Sequence, residues 1–189
     1  MKKLTFQILK ALEGIHRLGI VHADLKPENI GVKHQCKLSV RILDFGSAHF
    51  IGSDAFEYIQ SRFYRAPEVI LGGKYGPPID IWSLGCVLVE VVTGAVLFPG
   101  SNENEMLELF TWRLGAPPEQ FVSRCRRKNK FFYNNDLIVM KGIPKPSLKT
   151  ILNEKDPDFT DLVQEMLQWD DENRISAEDA LNHKWFNNA

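Results

Sequence analysis

A chain of 189 residues with 44% hydrophobic content is long enough to bury one substantial core, since domains of roughly 100–200 residues commonly do, so a single domain is expected. Lys and Arg total 23 against 24 Asp and Glu, and the resulting net charge of −1 excludes a global field that would draw in nucleic acid or an acidic membrane. Cys36, Cys86 and Cys125 are odd in number and far apart, which suits neither a disulfide framework nor a paired zinc site. Gln7, Lys10, Glu13 and His16 break up any apolar stretch after the basic N-terminus, and the longest apolar run, Leu84 to Val89, falls short of the roughly 18 residues of a membrane span. The expectation is a soluble intracellular protein of the cytoplasm or nucleus, with no membrane partner.

In chain order, Leu4, Ile8, Leu12, Ile15 and Leu18 recur at helical spacing, and Gly19 supplies a stop. Two short strands, Ile30 to Val32 and Leu38 to Leu43, are separated by the polar turn Lys33 to Lys37. Antiparallel pairing of these strands sets Asn29 and Asp44 face to face at one end. From Ile79 to Val92 apolar residues lie all round the helix, the pattern of an element buried on every side. Asn102 with Glu105 opens a helix carrying Met106, Leu109, Phe110 and Leu114, and Gly115 closes it. Asp156 and Pro157 begin another, and Ser176 with Asp179 caps the last. Residues 116–150 hold four prolines and no clear period, which predicts an irregular insert with short helical pieces. The fold class is therefore mainly α, with a small β-hairpin at the functional edge.

His22-Ala23-Asp24-Leu25-Lys26-Pro27-Glu28-Asn29 is followed, after the hairpin, by Asp44-Phe45-Gly46 and then by Ala66-Pro67-Glu68. Each motif alone is weak, because a loop Asp is more often a turn former. Their joint order is specific. Phosphoryl transfer needs a carboxylate to orient an incoming hydroxyl and accept its proton, a task Asp24 can perform. Magnesium prefers hard oxygen ligands, which Asn29 and Asp44 offer at one end of the hairpin. Lys26 can place positive charge on the transferring group.

These motifs resemble the C-terminal lobe of a eukaryotic protein kinase, an α+β fold, over essentially the whole chain. The segment Tyr58-Ile59-Gln60-Ser61-Arg62-Phe63-Tyr64-Arg65-Ala66-Pro67-Glu68-Val69-Ile70-Leu71-Gly72 is similar to the activation segment of the dual-specificity tyrosine-phosphorylation-regulated kinases and their homeodomain-interacting relatives, in the CMGC group. The resemblance implies a serine/threonine or dual-specificity kinase using ATP and Mg2+. It makes Asp24 the catalytic base, Lys26 the phosphate contact, and Asn29 and Asp44 the metal ligands. It also implies that Glu68 pairs with Arg174, that Asp80 steadies the catalytic loop, that 116–150 is the CMGC insert, and that Arg65 favours substrates with proline after the Ser or Thr. Glu68, Asp80 and Arg174 read as scaffold rather than chemistry.

Ala23 replaces the arginine that many kinases use to grip an activation-segment phosphate, and Phe56 replaces the first tyrosine of the family's Tyr-x-Tyr pair. A phosphate on Tyr58, formed by autophosphorylation, would then be held by Arg62 and Arg65. No glycine-rich phosphate loop precedes a strand lysine, so the chain is expected to be a fragment or truncated form and a poor enzyme by itself. The alternative is a non-catalytic kinase-like lobe that presents a peptide groove or the 116–150 insert to a protein partner. The run Arg124, Arg126, Arg127, Lys128 and Lys130 reads as a solvated face rather than an import or phosphopeptide-docking patch, and the following Phe131, Phe132 and Tyr133 as the anchor of the insert rather than a base-stacking platform.

Overall fold

The N-terminal apolar stripe folds as α1 (Lys2–Arg17), which buries Thr5, Ile8, Leu9, Leu12 and Glu13. Leu18, placed on that stripe by its spacing, lies past the helix end and is 71% exposed. The chain turns there through Gly19 at φ 73°, a conformation that a side chain would oppose. The computed structural model describes residues 1–34, 38–53, 59–133, 136–138, 142–152 and 156–187, so Cys36, Phe56 and Tyr58 lie outside the described residues.

After β1 (Ile20–Val21) and a 3-10 turn at Pro27–Asn29, β2 (Ile30–His34) and β3 (Leu38–Ile42) form the expected hairpin, pairing Ile30 with Ile42 and His34 with Leu38. β4 (His49–Phe50) returns to pair antiparallel with β1, a ladder too short to leave an alternating pattern in the sequence. Among the described residues the strands form only two-stranded ladders.

Pro67 and Pro78 each occupy a first-turn position, where the missing N–H costs nothing, and start α2 (Pro67–Leu71) and α3 (Pro78–Thr93). Helix α3 is buried without interruption from Ile79 to Val89 and forms the axis of the core. Its end differs from the expectation of all-round burial: Val91 and Val92 are about half exposed, because the last turn emerges from the core before Gly94. Around α3 stack Trp82, Phe98, Phe110 and Trp169, with Phe110 meeting Trp82 edge-on at 4.9 Å and Phe98 at 4.6 Å. Such ring pairs contribute about 0.5–1.5 kcal/mol each beyond the area they bury.

Asn102 caps α4 (Glu103–Leu114) by accepting the Glu105 N–H at 3.1 Å. Residues 116–150 contain α5 (Glu119–Arg124), α6 (Lys128–Phe131), the small ladder of β5 (Phe132–Tyr133) with β6 (Asp136–Leu137), and α7 (Leu148–Leu152). The basic run is solvent-facing at Arg124, Arg126 and Lys130, as expected of a solvated face, but its charges are also paired. Arg127 forks onto Glu103 at 2.9 and 2.6 Å and donates to the Ile70 carbonyl at 2.7 Å, Lys130 joins the same carboxylate, and Arg124 reaches Asp170 at 2.6 Å. Local acids and carbonyls take up these charges and fasten the segment to its neighbours, while Phe131 and Phe132 are buried beneath it.

The chain closes with α8 (Pro157–Met166), capped by Asp156, then α9 (Ala177–Leu181), capped by Ser176, and α10 (Lys184–Asn187). Gly85 lets α8 approach α3, since a Cβ there would lie 2.9 Å from Leu167 Cδ2. Among the described residues no helix is long and apolar enough to cross a membrane.

Glu68 in α2 and Arg174 ahead of α9 form a buried bidentate pair at 2.6 and 2.9 Å. The guanidinium also donates to the carbonyls of Pro78 and Gln168 and lies over Trp82, 5.2 Å from the ring centre. Removing one partner of such a pair strands the other charge without water. Glu68→Ala is therefore expected to lower the unfolding free energy by about 3–5 kcal/mol in urea titration. A loss under about 1 kcal/mol would show that the pair carries no structural weight.

Candidate active site

The site is built outward from Asp80. Proline at the start of α3 places Asp80 in the first helical turn, where backbone N–H groups favour a carboxylate. Its side chain is fully buried, yet both oxygens are used. Oδ1 accepts the Ala23 N–H at 2.9 Å, while Oδ2 accepts the His22 N–H at 2.8 Å and lies 2.9 Å from Nε2 of His16 on α1. One side chain thereby joins two helices to the loop that follows β1. Ala23 has φ 62°, a left-handed conformation that costs a residue with a Cβ, and the paired N–H bonds hold it there.

His22 connects this loop to the end of the hairpin. Its Nδ1 accepts the Asp24 N–H at 3.3 Å, so Nε2 carries the proton donated to the Leu43 carbonyl at 3.0 Å. The ring also meets Phe45 edge-on at 5.1 Å.

Asp24 is held on both sides. Oδ1 accepts from the Ser61 N–H at 3.0 Å and the Ser61 hydroxyl at 2.8 Å, and Oδ2 accepts from Lys26 Nζ at 2.8 Å. Lys26 also donates to the Ser61 oxygen at 3.0 Å, which closes a ring of charge-assisted bonds. Burial pushes the Asp24 carboxyl upward, but the bonds from Lys26 and Ser61 and the ammonium charge outweigh it and leave the carboxyl below its ordinary value. The hydrogen bond to Asp24 chiefly raises the Lys26 ammonium above its own ordinary value, against desolvation, with Asp24, Glu28 and Asp44 adding to the rise. The site therefore presents an ionised carboxylate beside a firmly protonated amine at neutral pH.

Asn29 donates through Nδ2 to the Asp24 carbonyl at 2.8 Å, which leaves its carbonyl-type oxygen as the atom suited to a cation. The hairpin register sets Asn29 opposite Leu43, whose N–H donates to the Asn29 carbonyl at 2.9 Å. By that register Asp44 stands one residue past the opposed position expected of it, at the same end, and its φ of 59° turns the chain out of the ladder. The Gly46 N–H donates to Asp44 Oδ1 at 3.1 Å and orients the exposed carboxylate. An amide oxygen and a carboxylate at one hairpin end make a hard donor set that fits Mg2+. Outside this site, Asp161, Glu165 and His183 approach one another, but Lys184 already pairs with Asp161 at 2.6 Å.

Across the loop lies the segment around Gln60. Its N–H donates to the Ala23 carbonyl at 3.1 Å, and its side chain binds Ser83, the Ile79 carbonyl and the Ala66 N–H. Arg65, only 3% exposed, donates to the carbonyls of Ile59 and Gln60, both at 2.8 Å, whereas Arg62 is exposed. Gln60 is also left-handed, with φ 62°. Among the described residues Ala23, Asp44 and Gln60 are the non-glycine residues with positive φ, and all three belong to this site. Backbone strain collected in one place marks a functional centre.

Sequence reasoning missed Ser61, Gln60, His16 and the linking role of His22. Ser61 and Gln60 were visible only as members of the segment between Tyr58 and Arg65, and nothing local revealed that they face Asp24 and Ala23.

An ionised carboxylate, a lysine and two hard oxygen donors thus gather on a loop and a hairpin end anchored to a buried helix. The sequence matches the protein kinase domain over residues 1–186, and the chain belongs to that family. Its similar relatives include a probable serine/threonine-protein kinase dyrk2 of Dictyostelium discoideum, 43% identical over 98% of this chain and 21% of its own length. The dual specificity tyrosine-phosphorylation-regulated kinase 2 of Drosophila melanogaster is 41% identical over 98% of this chain and 27% of its own. Dual specificity tyrosine-phosphorylation-regulated kinase 3 of Rattus norvegicus is 35% identical over all of this chain and 36% of its own. The chain thus spans about a fifth to a third of these relatives.

Because Asp24 is lowered in the folded state, its contacts add stability that is present above the ordinary carboxylate pKa and lost as pH falls through the lowered one. In the Ser61→Ala variant the Asp24 carboxyl should titrate at a higher pH than in the wild type, and this acid-side stability should be lost sooner. Carboxyl carbon NMR across an acid titration reads the change, and an unmoved Asp24 signal would remove Ser61 from the network.

Proposed function

We propose that this chain forms the substrate-side lobe of a protein serine/threonine kinase, dual-specificity in its action on its own Tyr58. The observation that carries the reading is the Asp24 carboxylate, fixed by Ser61 and Lys26 and flanked by Asn29 and Asp44. Asp24 orients the incoming Ser or Thr hydroxyl and accepts its proton as the oxygen attacks the γ-phosphorus of ATP. Lys26 supplies a fixed positive charge to the transferring group while still bonded to Asp24. Asn29 and Asp44 would hold Mg2+, which when bound neutralises charge on the phosphates. The residues described here furnish one wall of the nucleotide site, so efficient transfer requires a second wall above the hairpin end.

A preference for proline after the phosphorylated residue has physical support in Gln60. Its carbonyl is occupied by Arg65, so it is withdrawn from the N–H of the residue that follows the acceptor. Proline has no N–H to leave unpaired. The same bonds make Arg65 the anchor of the segment beside Tyr58, and the exposed Arg62 the side chain at liberty to move toward a phosphate there.

Peptide kinase assays on the full-length natural protein test the reading. Asp24→Asn should lower transfer by about 10²–10⁴-fold while the variant still unfolds in one cooperative transition, and Ser-Pro peptides should outpace Ser-Ala ones. Retention of most activity in the variant would end the assignment of Asp24 as base. Mass spectrometry of the active preparation should find phosphate on Tyr58, and an unmodified Tyr58 there would eliminate the autophosphorylation step.

A further inference from the structure

The Asp24 carboxylate is saturated. An ionised carboxylate offers about four acceptor positions. Here Oδ1 takes the Ser61 N–H and the Ser61 hydroxyl, while Oδ2 takes Lys26 Nζ and lies 3.4 Å from Nδ2 of Asn29. An acceptor hydroxyl therefore reaches this base only by displacing a donor already there. Lys26 is held by opposite charge, the Ser61 N–H is part of the backbone, and Asn29 is fastened by its bond to the Asp24 carbonyl. The neutral hydroxyl of half-buried Ser61 is the donor free to rotate, so it occupies the place that a substrate hydroxyl takes.

That hydroxyl also meets both demands the site makes of an acceptor. It donates to the Asp24 carboxylate at 2.8 Å, and its oxygen lies 3.0 Å from Lys26 Nζ, the charge that serves the transferring group. The segment bearing it is fixed through Gln60 and Arg65, which holds the oxygen beside both groups before any peptide arrives.

We propose that Ser61 is itself a phosphoryl acceptor and that its modification shuts the site. Its oxygen attacks the γ-phosphorus of ATP bound to its own chain, the bond from that phosphorus to the β,γ-bridging oxygen breaks, the hydroxyl proton passes to Asp24, and ADP leaves. The inference rests on the reading of Asp24 as base. Arg62 rather than proline follows Ser61, but Ser61 belongs to the segment that forms the site and does not enter as a docked peptide, so the preference for a following proline does not apply to it. The product carries a charge of about −1.5 to −2. It replaces a hydrogen bond to Asp24 with repulsion and draws Lys26 away from the next phosphoryl group, so the chain limits its own activity.

Full-length natural protein, stripped with phosphatase and returned to Mg-ATP, supplies the test, read by quantitative mass spectrometry beside a peptide assay. Phosphate should accumulate on Ser61 at a rate unchanged by dilution of the protein, and a saturating Ser-Pro peptide should slow it. Preincubation with Mg-ATP should lower later peptide transfer by about tenfold or more, and phosphatase should restore it. Ser61→Ala, slower from the start because the base has lost a bond, should be indifferent to preincubation, whereas Ser61→Thr should recover both the modification and the decline. Peptide transfer with Ser61 left unmodified would overturn the proposal while sparing Asp24 as base. A rate that rises with protein concentration, or full activity at high Ser61 occupancy, would overturn it as well. Transfer to neither Ser61 nor peptide would take the base assignment down with it.

Discussion

The buried carboxylate of Asp80 is the constraint from which the site takes its shape. A charge removed from water is tolerated only when it is fully bonded, and here the donors are two successive backbone N–H groups and a histidine from another helix. That demand forces Ala23 into its left-handed turn and so determines where the Asp24 side chain emerges. The loop carrying the Asp24 carboxylate therefore inherits its geometry from the deeply buried helix α3.

The same logic extends outward in steps. Ala23 offers its carbonyl to Gln60, Gln60 is locked by Ser83 and Arg65, and Ser61 is thereby delivered to Asp24. The strained positions Ala23 and Gln60 are each held by bonds to α3 itself, through Asp80 and through Ser83 and the Ile79 carbonyl. Removing one member should be felt by those outside it more than by those within, because the helix is stabilised by apolar burial that none of these polar bonds supplies.

Much of this was legible in the amino-acid order. Helical periodicity located α1, α3, α4 and α8, and the cap residues Asn102, Asp156 and Ser176 marked the starts of α4, α8 and α9 because capping is a local interaction written within a few residues. The motif residues Asp24, Lys26, Asn29 and Asp44 could be named because their chemistry is particular to their side chains. What escaped notice was long-range. The fate of the basic run depended on Glu103 and Asp170, distant in sequence, and the pairing of β1 with β4 depended on two-residue strands too short to show a period. Leu18 and Val91 were misplaced for a related reason, since periodicity continues past the point where a helix leaves the core.

The Glu68–Arg174 pair joins residues 106 positions apart, which sets an order on how the molecule can be made. At roughly 5–20 residues per second on the ribosome, about 5–20 s separate the appearance of the glutamate from that of its arginine. Throughout that interval α2 has emerged with its acid unmatched, although the stretch bearing Gln60 and Ser61 already has Ser83 and the Ile79 carbonyl of α3 to rest on. The loop bearing Asp24 finds its partners among residues made early, whereas the carboxylate of α2 waits for the region ahead of α9 before its charge is matched.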